Sequence, residues 1–130
     1  MPKITNRNDI EKLVTAFYKK AISDDIIGHI FNNHMTETLE KHLPTICDFW
    51  ESVLLENGQY KGNPIRKHIE LSQRTSLGNF HFKQWLKLWE ETINLLFEGK
   101  VAQQAKEKAR LMKELMVIKI KESKNPNFIQ

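Results

Sequence analysis

Cysteine is nearly missing from this 130-residue chain: Cys47 stands alone. A single thiol closes no internal disulfide, so a disulfide scaffold is excluded, and a reducing, cytoplasmic setting is expected. Glycine is scarce too, with five residues and no Gly-Gly pair, so no phosphate-cradling glycine loop exists. Neither a His-Glu-x-x-His zinc helix nor paired Cys-x-x-Cys hooks occur. No apolar run approaches the roughly 20 residues of a membrane span, so no membrane partner is expected. The stretch from Met1 to Asn8 has no apolar segment of the secretory kind, and no leader is expected. There is no Gly/Ser-rich linker, internal repeat or low-complexity stretch, so the expectation is one domain over residues 1–130, with a frayed end at about 121–130. The net charge is +4, but the lysines are interleaved with Glu and Asp along the chain. That pattern belongs to solvated helix surfaces rather than to a binding stripe, and no nucleic-acid partner is expected.

What the chain does have is helical periodicity. Ile10, Leu13, Val14, Phe17, Tyr18 and Ala21 fall on one face of a first helix that Asn8 or Asp9 is placed to cap. Ser23-Asp24-Asp25 interrupts it, and a short second helix is expected to carry Ile26, Ile27, Ile30 and Phe31. A third is expected from about Thr36 to Leu55, with Thr36 or Thr38 as cap and Asn57-Gly58 as stop. Its apolar face holds Leu39, Leu43, Ile46, Phe49, Trp50 and Val53, with His42 among them; Pro44 either kinks it or marks its first turn. Asn63-Pro64 reads as the cap and first position of a short helix bearing His68. Gly78-Asn79 opens a fifth helix with Phe82, Trp85, Leu86, Trp89, Ile93 and Leu96, ending near Gly99. Val101, Ala105, Ala109, Met112 and Met116 mark a sixth. Val117 to Lys121 alternates like a strand, but no partner strand exists, so the class is all-α.

The faces that ought to be core carry polar atoms. His42, Tyr18 and Trp85 sit among aliphatic and aromatic neighbours on three different helices. Each alone is more often a packing residue whose polar atom is satisfied locally. Cys47, inside an apolar helix, reads as an inert small hydrophobe; His42 lies about 140° away around the same helix and is no partner for it.

Taken together, the order Phe17-Tyr18, Ile30-Phe31, His42, Phe49-Trp50, Tyr60-x-Gly62-x-Pro64-x-x-x-His68 and Phe82-x-x-Trp85-Leu86 resembles the truncated haemoglobins. The likeness is strongest to their third subgroup, since the other two commonly carry glycine pairs at their turns. It spans the chain from about Ile10 into the last helix. This resemblance implies a two-over-two helical sandwich around haem b, with His68 as the iron ligand. It makes Tyr18, His42 and Trp85 the polar residues on the ligand-binding side. Phe31, Ile46, Phe49, Trp50 and Phe82 are then apolar contacts of the cofactor, and Arg66 and Lys67 candidates for its propionates. His29, His34 and His81 match no ligand position and read as surface or outer residues. The function implied is binding of oxygen, nitric oxide or another diatomic ligand by a monomer, for oxygen handling or nitric oxide detoxification. Two alternatives stay open: a nitric oxide dioxygenase- or peroxidase-like enzyme drawing electrons from an external reductase, and a haem-free helical interaction module.

Overall fold

The computed structural model describes residues 1–33, 39–56, 60 and 62–124. Six helices follow in order: α1 Arg7–Ile22, α2 Gly28–Asn33, α3 Leu39–Leu55, α4 Pro64–Ser72, α5 Asn79–Leu96 and α6 Lys100–Ser123. Among the described residues there is no strand, so the fold is all-α. Helix α1 packs along α3, and α5 forms a hairpin with α6. The two pairs stack through α1 on α5 and α3 on α6, which is a two-over-two arrangement; α4 lies on α6. No helix among the described residues is long and apolar enough to cross a membrane.

The start of α1 differs from expectation. Asn6, not Asn8 or Asp9, is the cap: its side chain accepts the Asp9 N–H at 3.1 Å, while Asp9 Oδ2 accepts the Asn6 N–H at 3.3 Å. Asp9 is thus the third-position partner of a reciprocal capping box, which satisfies two free N–H groups and places the first turn earlier. Ile26 and Ile27 lie in the turn before α2 rather than in it, held by Asp24 Oδ2, which accepts their N–H groups at 2.9 and 3.0 Å.

Helix α3 runs through Pro44. The proline falls in the second turn, so the only intrahelical bond it removes is one near the helix start. The expected caps Thr36 and Thr38 and the stop Asn57-Gly58 lie outside the described residues, as does the tail from 125 onward. Between α5 and α6, Gly99 adopts φ 101°, a left-handed conformation that lets the chain reverse at once. The alternating stretch Val117 to Lys121 is helical, with Ile120 buried and Ile118 on the surface.

The core sits between the two layers. Trp89, 1% exposed, stacks on Trp50 at 4.6 Å and meets Phe17 edge-on at 5.3 Å. Its indole N–H donates to the Ala105 carbonyl at 3.2 Å. That bond spans helices because Ala102, Ala105 and Ala109 are small enough for α6 to approach α5 closely. Arg7 joins α1 to α3, donating to Asp48 Oδ1 at 2.6 Å and Glu51 Oε1 at 2.9 Å.

Candidate functional site

Helix α4 is built to hold one side chain still. Asn63 caps it, accepting the Arg66 N–H at 3.1 Å, and Pro64 supplies the preset first turn, both as the sequence predicts. Ahead of it, the ring of Tyr60 lies so close to Gly62 that an added Cβ would meet the hydroxyl oxygen at 2.5 Å, which accounts for Tyr-x-Gly in the motif. Tyr60 is pinned in turn by the edge of Phe49 at 5.3 Å.

One turn into α4, His68 Nδ1 lies 2.6 Å from the Pro64 carbonyl oxygen. A carbonyl only accepts, so Nδ1 carries the proton and Nε2 keeps its lone pair. His68 leaves part of its ring open to a cleft, yet it is crowded enough that burial pushes its pKa below the ordinary histidine value; the Pro64 bond offsets this only in part. A neutral imidazole with a fixed lone pair on Nε2 is the donor chemistry that haem iron takes.

The cleft gathers residues from five helices. Tyr18 comes from α1, Phe31 from α2, His68 and Leu71 from α4, Phe82 and Trp85 from α5 and Met116 from α6. Ile27, Ile30, Leu77 and His81 complete the described lining. It is chiefly aliphatic and aromatic, as a flat apolar macrocycle requires. Tyr18 is braced edge-on by Phe17 at 4.8 Å and Phe31 at 5.5 Å. Burial, and then Cys47, push the Tyr18 pKa upward, so its hydroxyl stays a neutral donor. Among the described residues neither the Tyr18 hydroxyl nor the Trp85 indole N–H has a hydrogen-bond partner.

Five of the residues singled out in the sequence therefore line one cleft: Tyr18, Phe31, His68, Phe82 and Trp85. Six do not line it: His42, Ile46, Phe49, Trp50, Arg66 and Lys67. Trp50 is 4% exposed and stacked on Trp89 in the core, because α3 lays that face against α1 and α6. Phe49 packs between Trp50 and Tyr60. Ile46 and His42 are half-buried on α3. Arg66 and Lys67 are exposed on α4, where Arg66 Nε lies 3.7 Å from Glu70 Oε1. Cys47 is buried, and burial pushes its thiol up to about 11, which keeps it protonated and unreactive.

Sequence reading missed His81, along with Leu71, Leu77 and Met116. His81 precedes Trp85 by four positions and so shares its helix face, a spacing that pointed to the same cleft. Leu71 follows His68 by three for the same reason. His34 lies outside the described residues.

No family model matches the chain. The group 3 truncated hemoglobin ctb of Campylobacter jejuni subsp. jejuni is 33% identical over 110 residues, covering 82% of this chain and 84% of that protein. The crystal structure of group III truncated hemoglobin from Campylobacter jejuni matches with a TM-score of 0.80 at 29% identity, covering 92% of this chain and 95% of that one. With that identity over most of both sequences, and helices that superpose along nearly their whole course, the chain belongs to the group 3 truncated haemoglobins and is a haem-binding globin.

Proposed function

We propose that this chain holds haem b through His68 Nε2 and binds oxygen, nitric oxide or a similar diatomic ligand on the side bearing Tyr18 and Trp85, serving oxygen handling or nitric oxide detoxification. One observation carries the reading: the 2.6 Å bond between His68 Nδ1 and the Pro64 carbonyl, which commits Nε2 to donate its electron pair within an apolar cleft. Ferrous haem, when held by His68, would supply the metal centre that binds a small gas. The chain does the rest. Pro64 and Asn63 hold His68 in place, the chiefly apolar lining disfavours water, and the Tyr18 O–H and Trp85 N–H are half-buried donors with no partner among the described residues. Donors in such a setting act on a polarised ligand more strongly than they would in water.

The test is to load the protein with haem, reduce it with dithionite, remove the reductant and titrate with oxygen and then with nitric oxide. The reading expects a saturable spectral change with each gas at one ligand per haem. Immediate oxidation with no ligated spectrum for either gas would refute it. Sustained nitric oxide consumption over many turnovers with a reductase would instead assign the enzyme role.

A further inference from the structure

Two imidazoles line the cleft, and the backbone locks them in opposite tautomers. At the start of α5, the Gly78 N–H donates to His81 Nδ1 at 3.2 Å. A backbone N–H only donates, so His81 Nδ1 carries the lone pair and its proton sits on Nε2. His68, held by a carbonyl, has the reverse arrangement. His68 offers an electron pair at Nε2; His81 offers a proton there. With its cap intact, His81 is therefore a hydrogen-bond donor and not a second iron ligand.

Its position is at the rim. His81 is half-buried and lines the cleft, its neighbour Phe82 turns inward at 6% exposed, and Phe80 on the other side is 64% exposed. The exposed His29 of α2 brings a second imidazole to the same place, with ring centroids 6.3 Å apart. Among the described residues no acceptor pairs with His81 Nε2–H. Haem is apolar apart from two carboxylates, which stay at the solvent edge because burying an unpaired charge is costly. The basic residues first considered for them, Arg66 and Lys67, do not line the cleft. We propose that His81 Nε2–H binds one haem carboxylate at the cleft mouth, beside His29, and so anchors the cofactor. This rests on the haem reading above.

The experiment compares wild type, His81→Gln and His81→Glu, each loaded with haem b or with its dimethyl ester. Haem loss to an excess of scavenging apoglobin is the readout, with thermal melting of the three apo-proteins as control. Glutamine keeps both roles, since its carbonyl accepts the Gly78 N–H and its amide still donates. Glutamate keeps the cap but sets a negative charge against the carboxylate. The glutamine variant is expected to hold haem b as wild type does, and the glutamate variant to lose it on the order of tenfold faster, as for loss of one charge-assisted hydrogen bond. With the ester, the two variants are expected to lose cofactor equally, and wild type to lose the ester faster than haem b. Equal loss of haem b from the two variants would overturn the proposal. So would equal retention of haem b and ester by wild type, an arm that needs no variant to fold. Failure of all three proteins to take up any haem would sink the haem reading itself; uptake without these differences would sink only the anchor.

Discussion

Replacing Tyr18 by phenylalanine removes one oxygen atom and little else. The ring is held by edge contacts to Phe17 at 4.8 Å and Phe31 at 5.5 Å, and both survive the change. The hydroxyl has no partner among the described residues, so no internal hydrogen bond is lost, and apo-protein stability should move by less than about 0.5 kcal/mol. The liganded state is different. Burial keeps the hydroxyl protonated, so it remains a donor throughout the working pH range. A hydrogen bond to a strongly polarised acceptor contributes about 1.5–3 kcal/mol, and losing it should raise the ligand dissociation rate roughly ten- to a hundredfold. Stopped-flow mixing of the oxygen-bound protein with dithionite measures that rate, and a urea melt of the apo-protein measures the other half. An unchanged off-rate would remove Tyr18 from ligand binding. A loss of more than about 1 kcal/mol in the apo-protein would show that the hydroxyl serves the fold instead.

Two further expectations concern the scaffold. Asp24 accepts the N–H groups of Ile26 and Ile27 and the Gln84 amide at 2.8 Å; burial pushes its pKa up, but these three bonds more than reverse that and leave it below the ordinary 3.8. As pH falls the unfolded chain then takes up the proton first, so the contribution is complete above about pH 4 and fades through the lower folded value. Asp24→Ala should cost about 1–2 kcal/mol near neutrality, and its melting curve should converge on wild type in strong acid. Trp89→Ala should cost about 3–5 kcal/mol in urea denaturation, since it empties the stack on Trp50 and frees the Ala105 carbonyl; Trp89→Phe should cost about 1–2 kcal/mol.

The parts legible in the sequence were those set by local chemistry. Asn63-Pro64 announced the start of α4, and the three- to four-residue spacing of Val101, Ala105, Ala109, Met112 and Met116 announced α6, because caps and helical periods act within a few residues. Periodicity reports that a face is buried without saying against what. Trp50 shares its stripe with Ile46 and Phe49, yet it belongs to the Trp89 stack, a contact that depends on how α3 crosses the other helices. His81 was passed over for the opposite reason: it matched no motif position, while its fourfold step to Trp85 and the Gly78 N–H that sets its tautomer were local facts. The alternation at Val117 to Lys121 forms no strand, as the want of a partner strand implies; it arises because Ile118 is an exposed apolar residue, which no pattern of hydropathy distinguishes from a buried one.

The most direct measurement is an absorption titration of the apo-protein with haem, beside His68→Gly with and without added imidazole. The prediction is one haem per wild-type chain with a sharp Soret band. In the glycine variant that band should be shifted and weakened, and free imidazole, entering the space the side chain left, should restore it. A wild-type protein that stays colourless, or a variant whose spectrum matches wild type without imidazole, would contradict the assignment of His68 as the residue that holds the iron.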